Sequence, residues 1–359
     1  MDFEPMDNTS YDGWKFFIAC GEGTLFPKNI IKDTCSNKIP NGSKLYDVLY
    51  SYASFSLVSM DRPAYRREDT FRLILPFLRA YDQSNTSLKQ YYKNNLKLTP
   101  GSHRTMKFAQ EISLPFLISS SYEHYINEAC EALDFPIDNT YSMSLDLDYW
   151  DLSNDEKSTL KRLADEIISM PLIEKPSDES TMDDISETDK NTLSRLDEIF
   201  EDELVDLQSF RLLSSSSPLG SEEKASSFLD IRRKTALDVS DVMLVCSSDS
   251  DSLIAHMIRE SGGLVVAFNA TPLALVSSDI AVVSDNTTIL SFLADVFQSS
   301  GKGHVEELVE KWSNEAILKS PANKYLANDL LKSSKLSAPL VTNVNHRTPT
   351  MFLDERFLR

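Results

Sequence analysis

The chain has 359 residues, of which 41% are hydrophobic and 25% charged, and its formal net charge is −19. This length is enough for a sizeable core and exceeds one average domain, and the composition is that of an ordinary globular protein. The acidic excess repels nucleic-acid phosphates and no basic stripe offsets it, so composition argues against nucleic-acid binding. No apolar run approaches the roughly 20 residues that span a bilayer, so we expect no transmembrane segment.

The N-terminal segment MDFEPMDNTSYDG is acidic and has no apolar stretch, so it does not resemble a secretory signal. The cysteines are scattered and form no CxxC pair or small disulfide framework; they are Cys20, Cys35, Cys130 and Cys246. Both features indicate a cytoplasmic protein. We interpret the acidity as a well-solvated surface in preference to a sign of a basic partner.

The first apolar run, Phe16–Cys20, stops at Gly21 and Gly23, a pattern typical of a buried parallel strand. A long helical stretch follows, through KLYDVLYSYASFSLV and TFRLILPFLRAY. Pro76 lies inside the second of these segments, so we expect a break there. A turn then precedes a helix predicted over residues 103–111.

A second strand is predicted at Leu114–Ile118, just before a run of three serines. Ser121 is expected to cap a helix over residues 121–135, whose apolar positions share one face. Residues 139–145 are predicted to form another strand.

Ser153 is the expected N-cap of the next helix, and Glu156 three residues later completes the pattern of a capping box. The polar, acidic and proline-containing stretch 174–190 is predicted to be a solvated loop. A helix through TLSRLDEIFEDELVDL returns the chain to the segment around Lys224.

Strands and helices alternate in the second half of the chain. Strands are predicted at residues 243–246, 264–268 and 279–284, with helices between and after them. This alternation indicates a parallel sheet with right-handed crossovers. The chain from 306 onward is predicted to be helical, and residues 341–359, which show no period, to be a flexible tail or a docking segment.

Four segments stand in an order that resembles the haloacid dehalogenase superfamily of phosphatases and phosphotransferases: FFIACGEG, FLISSSYE, GSEEKA and MLVCSSDSDS. The phrases LILPFLRAY, RLDEIF and GGLVVAFNAT further resemble archaeal members labelled energy-converting hydrogenase A subunit R. This second resemblance runs from about residue 16 to residue 305, and any one phrase alone would be weak. The label rests on gene context and says little about chemistry.

The resemblance implies a role for six positions. In the superfamily an aspartate attacks the phosphoryl group, a second acid protonates the leaving group, and Mg²⁺, a hydroxyl and a lysine position and neutralise the phosphate. Here the matching positions are Cys20 (nucleophile), Glu22 (general acid), Ser120 (phosphate anchor), Lys224 (phosphate neutralisation), and Ser247 and Asp251 (metal motif).

Two of these positions have lost their carboxylates. A thiol at Cys20 and a hydroxyl at Ser247 remove about two units of negative charge from a site that a hard cation needs. We therefore expect Mg²⁺ to bind poorly or not at all, and no cofactor unless the protein is active, in which case Mg²⁺ is implied. Restoring both aspartates is expected to revive metal binding. A longer loop would instead let Asp249 or Asp251 reach the metal.

Other interpretations stay open for the same residues. In the superfamily the first and last motif strands are neighbours, so Cys20 and Cys246 could form a thiol pair that binds a soft metal or switches redox state. Both could equally be small apolar residues at strand ends. Lys224 could be a surface lysine, and Ser120 one of three serines that cap the next helix.

The predicted fold class is α/β, a haloacid-dehalogenase-like, doubly wound parallel sheet with a Rossmann-like core and helical cap insertions. The predicted domains are a core (11–26, 101–147 and 211–305), two insertions (27–100 and 148–210) and a C-terminal extension (306–359). The predicted function is a catalytically degenerate phosphatase relative that serves as a binding or accessory protein, with a hydrogenase or another energy-metabolism complex as partner. The alternative is an active phosphatase that uses Cys20 or a water activated by Glu22.

Overall fold

The computed structural model describes residues 15–56, 66–174, 182–333 and 338–344. Within them one sheet has the strand order β3-β2-β1-β4-β5-β6-β7. Its strands are β1 (Phe16–Cys20), β2 (Leu114–Tyr122), β3 (Thr140–Met143), β4 (Val242–Cys246), β5 (Leu264–Phe268), β6 (Ile280–Val283) and β7 (Leu340–Asn343). All neighbours are parallel except β6 and β7. The predicted doubly wound parallel sheet is confirmed.

The strand β1 lies inside the sheet, between β2 and β4, and every one of its side chains is apolar and buried. Ala19 pairs with Leu117 of β2 on one side and with Val245 of β4 on the other. The carboxyl ends of these three strands therefore meet at one edge, next to the point where the strand order reverses. Ligands of open α/β sheets bind at such switch points.

Helices connect the strands. Between β1 and β2 lie α1 (Ile30–Lys38), α2 (Gly42–Ser56), α3 (Thr70–Leu73), α4 (Leu75–Ala80), α5 (Asn85–Asn95) and α6 (Ser102–Ile112). From β2 to β4 lie α7 (Glu123–Leu133), α8 (Asn154–Ser169), α9 (Glu187–Asp197), a π-helical turn (Glu198–Glu203), α10 (Gln208–Ser215) and α11 (Ser221–Thr235). The last are α12 (Ser252–Glu260), α13 (Pro272–Val276), α14 (Thr288–Glu310), α15 (Asn314–Lys319) and α16 (Lys324–Ser333).

The helices fall into two packing groups. The helix α8 packs against α2 and α4, and α10 also packs against α4, so helices from both predicted insertions contact each other. The helices α5 and α6 instead contact α7 and α14, which flank the sheet. The domain boundaries drawn from the sequence stay predictions.

Two local predictions are confirmed at least in part. The helix α3 ends at Leu73 and α4 begins at Leu75, so the chain breaks just before Pro76 as expected. The Ser153 side chain accepts a hydrogen bond from the backbone N–H of Glu156. The predicted capping box does not form, however, because the Glu156 side chain accepts a hydrogen bond from the backbone N–H of Ser209 at 2.8 Å.

Two other local predictions were wrong, and a third is covered only in part by the described residues. Ser121 does not cap α7, because β2 continues to Tyr122, which is the N-cap residue. The acidic stretch contains part of α9, and residues 175–181 of it lie outside the described chain. The C-terminal segment contributes β7, since its backbone finds an exposed sheet edge beside β6. Residues 345–359 of the predicted tail lie outside the described chain.

Candidate functional site

A cavity of about 350 Å³ opens at the edge where β1, β2 and β4 end. Its lining combines four basic and four acidic side chains with three aromatic ones. These are Lys28, Lys32, Arg67 and Lys224; Glu22, Asp47, Glu68 and Asp249; and Tyr46, Tyr50 and Phe71. Of the residues predicted from the sequence, Glu22, Ser120 and Lys224 line this cavity, whereas Cys20, Ser247 and Asp251 lie beneath it.

Cys20, at the predicted nucleophile position, is the last residue of β1 and is wholly buried. Burial first, and then the negative charge of Asp251, raise the pKa of the thiol well above its ordinary value. A thiol is nucleophilic only as the thiolate. Cys20 therefore behaves here as a small apolar residue at a strand end.

Glu22 lies in the turn after β1 and is 8% exposed. Its Oε1 accepts three hydrogen bonds, from Ser119 Oγ at 2.5 Å and from the backbone N and Oγ of Ser121 at 2.9 Å each. Its Oε2 is also buried and has no hydrogen-bond partner among the described residues. Ser119 and Ser121, at the end of β2, thus hold Glu22 in place, and these bonds keep both serines in the strand.

The hydroxyl of Ser120, at the predicted phosphate-anchoring position, already donates a hydrogen bond. Its Oγ donates to the backbone carbonyl of Leu219 at 2.6 Å. An incoming anion would have to break this bond to gain the hydroxyl as a donor.

Lys224, in the first turn of α11, is 1% exposed, so it is not a surface lysine. Its Nζ donates to Asp251 Oδ1 at 2.7 Å and to Ser250 Oγ at 3.0 Å. Burial alone would lower the pKa of Lys224, but Asp251, Glu22 and Cys20 outweigh that effect and raise it. The lysine stays charged, and its charge is matched by a buried carboxylate.

Asp251 cannot act as a free metal ligand. Its Oδ2 accepts from the backbone N–H groups of Ser247 and Ser248, both at 2.8 Å, while Oδ1 accepts from Lys224. Burial favours the neutral carboxyl, yet Lys224 and these amides hold the pKa of Asp251 below its ordinary value. Asp251 therefore serves as the anchor of the loop after β4.

Lys28 is a residue of the site that sequence reasoning missed. Its Nζ donates to the backbone carbonyls of Ser247 at 3.1 Å and Asn269 at 3.0 Å, and burial lowers its pKa. A Cβ atom at Gly23 would lie 2.3 Å from both Lys28 Cε and Ser247 Oγ, so the lysine stem fills the space between the loops after β1 and β4. No spacing in the sequence indicates this contact, because the loop after the turn sets it.

Arg67 was also missed. It belongs to the short turn before α3 and forms an ion pair with Asp249 Oδ2, which ties the first predicted insertion to the loop after β4. Asp249 Oδ1 is buried and has no hydrogen-bond partner within the described segments. Lys28, Lys32 and Arg67 line the same cavity as Lys224, so the site has three basic side chains that the sequence did not indicate.

The residues present do not fit the Mg²⁺ ion that the superfamily implies. Mg²⁺ prefers carboxylate and other hard oxygen donors. Here β1 ends in a buried thiol, Asp251 is bonded to Lys224, and the Lys28 ammonium occupies the space between the loops after β1 and β4. Both oxygens of Asp251 are bonded, so it cannot serve as a metal ligand, and Asp249 has one oxygen paired with Arg67 and only Oδ1 without a partner among the described residues.

Cys20 and Cys246 lie at the ends of neighbouring strands, which the thiol-pair hypothesis requires. Cys20 and Cys246 follow directly on Ala19 and Val245, which are paired on neighbouring strands, and Cys246 adds to the rise in the pKa of Cys20 that burial and Asp251 cause. Burial raises the pKa of Cys246 to about 12, and its Sγ lies 3.3 Å from Ser278 Oγ. Within the described ranges no group of three or more His, Cys, Asp or Glu side chains could hold a metal ion. The thiol-pair role stays a hypothesis.

The described part of the chain contains no helix that is both long and apolar enough to cross a membrane. No protein-family model and no curated protein matches the chain.

Solved structures do match. The structure of gene product AF1437 from Archaeoglobus fulgidus is 20% identical, with a TM-score of 0.69 over 84% of this chain and 88% of that one. A phosphoserine phosphatase in apo form is 14% identical, with a TM-score of 0.45 over 77% of this chain and 98% of that one. A phospho-aspartyl intermediate analogue of phosphoserine phosphatase is 12% identical, with a TM-score of 0.43 over 75% of this chain and 92% of that one. The likeness to the AF1437 product shows a shared fold, and the predicted α/β class with a mostly parallel sheet is confirmed.

Proposed function

We propose that this chain is a catalytically degenerate relative of the haloacid dehalogenase phosphatases, which keeps its cavity as a binding site and works as an accessory protein. The observation that carries the proposal is the burial of Cys20 at the nucleophile position. A fully buried thiol with a raised pKa supplies almost no thiolate at neutral pH. It also has no surface on which a phosphoryl group could bond.

The charges around the cavity support the same proposal. Phosphoryl transfer needs positive charge that is free to gather on the transferring group in the transition state. Lys224 is committed to Asp251 and Arg67 to Asp249. Moving Lys224 onto a substrate would leave the buried Asp251 carboxylate without its partner, which costs energy. The Arg67–Asp249 pair is about one-third exposed, so breaking it costs less.

A second candidate is an active phosphohydrolase in which Glu22 activates a water. The unpartnered Oε2 of Glu22 favours it, because a carboxylate oxygen at the cavity can accept a proton. The nucleophile in this case is water and not Cys20.

Hydrolysis of p-nitrophenyl phosphate, with and without Mg²⁺, tests both candidates. We expect no turnover above that of a blank without the protein. Turnover that Mg²⁺ stimulates and Cys20→Ala abolishes would overturn the proposal. Turnover that survives Cys20→Ala but is lost in Glu22→Gln would establish the second candidate.

We also propose a protein partner, in the cytoplasm, and the resemblance to the archaeal hydrogenase-labelled group suggests an energy-metabolism complex. Affinity purification of the tagged chain from its source cell, followed by native mass spectrometry, tests this. We expect a complex of defined mass that includes a subunit of such an enzyme. Recovery of the chain alone, under conditions in which a known complex of that cell stays intact, would contradict it.

A further inference from the structure

We propose that the cavity binds a small organic cation, a primary amine attached to an apolar body, through the carboxylates of Glu22 and Asp249. This inference rests on the proposed function, since it names the ligand class of the binding site that the degenerate fold retains. Such a ligand has a charge opposite to that of the phosphate group that a phosphatase pocket would bind.

Three of the four basic side chains of the cavity are paired with carboxylates, and the fourth, Lys28, donates to two backbone carbonyls. Lys224 pairs with Asp251 at 2.7 Å, Lys32 pairs with Asp47 at 2.7 Å, and Arg67 pairs with Asp249. An anionic ligand would compete with a carboxylate at each of them. The Ser120 hydroxyl is engaged too, through its bond to the carbonyl of Leu219.

Two carboxylate oxygens and one hydroxyl of the described cavity lining lack hydrogen-bond partners; the carboxylate oxygens can only accept, whereas the hydroxyl can also donate. Among the described residues, buried oxygens without a hydrogen-bond partner include Glu22 Oε2, Asp249 Oδ1 and Thr271 Oγ1, and all three residues line the cavity. Glu22 carries the most weight, because it is 8% exposed and its other oxygen is held by three donors, which fixes the carboxylate in place. A buried carboxylate oxygen without a donor is costly, and a ligand N–H would relieve that cost.

The overall charge agrees with a cationic ligand. Together with Asp251, which pairs with Lys224 from below, five carboxylates stand against the four basic side chains of the lining. Lys28 and Glu68 contribute one charge of each sign to the lining, and Glu22 is the acid left over in this count. The field in the cavity therefore favours a positive ligand.

One wall of the cavity suits the apolar body of such a ligand. Tyr46 and Tyr50 stand one helical turn apart on α2, with their rings stacked at 5.8 Å and 15°, and Phe71 of α3 lies nearby in the lining. Aromatic faces attract ammonium groups and pack against alkyl or aryl carbons. Carboxylates opposite an aromatic wall form a site for an amine.

The test uses matched pairs of small molecules with the purified full chain. Binding of 2-phenylethylamine is compared with 2-phenylethanol, and butane-1,4-diamine with butane-1,4-diol, by isothermal titration calorimetry at pH 7. Inorganic phosphate is the anionic probe. We expect at least one amine to bind at least tenfold more tightly than its alcohol, and phosphate not to bind measurably.

Glu22→Gln is the key variant, because glutamine keeps the Oε1 acceptor while replacing Oε2 with an N–H₂ group. We expect it to weaken amine binding at least tenfold. Glu68→Gln is a second variant, with an expected smaller loss, should Glu22→Gln fail to fold by circular dichroism. Glu187→Gln, at an acid whose side chain is 83% exposed, is the control and should bind as wild type does.

Phosphate binding without amine binding, equal affinity for amines and alcohols, or no binding of either class would each overturn the inference. Hydrolysis of p-nitrophenyl phosphate tests the proposed function independently of amine binding. A chain that neither hydrolyses p-nitrophenyl phosphate nor binds an amine would sink this inference and leave the proposed function standing.

Discussion

Lys224 Nζ and Asp251 Oδ1 lie 2.7 Å apart, in side chains that are 1% and 0% exposed. The pair joins the start of α11 to the loop after β4, and Asp251 simultaneously accepts from the amides of Ser247 and Ser248. Two residues that resemble the phosphate-binding lysine and a metal-motif acid thus stabilise each other. The contact fixes the loop after β4, and neither charge is free to bind a ligand.

Breaking this pair from one side should be strongly destabilising. Asp251→Asn leaves the Lys224 ammonium buried without a counter-charge, and we expect the free energy of unfolding to fall by about 3–5 kcal/mol. Urea unfolding measures the change. Glu315→Gln, in the exposed pair with Lys319, is the matched control and should change nothing measurable, since both side chains are about three-quarters exposed. A loss below about 1 kcal/mol for Asp251→Asn would contradict the buried pair.

The same pair should govern acid stability. Burial opposes ionisation of Asp251, but Lys224 and the loop amides hold its folded pKa below that of the unfolded chain, about 3.9. The resulting stabilisation is present above about pH 4 and is lost as the pH falls through the lower folded pKa. Between pH 5 and pH 2 the unfolding free energy of wild type should therefore fall more steeply than that of Asp251→Asn. Parallel curves would contradict the assignment.

The thiols at the carboxyl ends of β1 and β4 should resist alkylation. Cys20 and Cys246 are both buried with raised pKa values, so almost no thiolate is accessible. We expect native iodoacetamide labelling at pH 8 to be about a hundredfold slower or more than in urea, as followed by mass spectrometry of the two peptides. Rapid labelling of Cys20 in the native chain would favour thiol chemistry. Bound zinc that disappears in Cys246→Ala would support the thiol-pair hypothesis.

Restoring the aspartates alone should not restore a metal site. In Cys20→Asp/Ser247→Asp the Lys28 ammonium still occupies the space between the two loops, and it repels a divalent cation. Adding Lys28→Met removes that charge while keeping the stem. We expect Mn²⁺ binding, measured by electron paramagnetic resonance, to be at least tenfold tighter in the triple variant than in the double variant. Equal affinities would show that Lys28 does not exclude the metal.

Gly23 should not tolerate a side chain. Its φ is +77°, and a Cβ atom would lie 2.3 Å from Lys28 Cε and from Ser247 Oγ. We expect Gly23→Ala to lower the free energy of unfolding by more than about 1 kcal/mol, through backbone strain and displacement of Lys28. Gly303→Ala, in α14, is the control, because no atom lies within 4 Å of its Cβ position. It should be neutral or slightly stabilising, and equal effects of the two substitutions would contradict the close approach.

Much of the sheet could be predicted from the sequence, because buried parallel strands are continuous apolar runs. The predicted strand at residues 264–268 matches β5 at both ends, and the end of β1 at Cys20 is also as predicted. The end of β2 could not be predicted in this way. Serines are usual helix caps, and only Glu22, almost a hundred residues earlier in the chain, draws Ser119 and Ser121 into the strand.

The sequence by itself determined the α/β fold class, since periodicity and residue type are local properties. Only the tertiary structure decided how the remaining charges are used. Lys28 and Arg67 reach the cavity through loops whose course no spacing reveals, and ion pairing depends on distances between segments far apart in the chain. For the same reason the buried state of Lys224, and the free oxygen of Glu22 at the cavity, could be read only once the chain was folded.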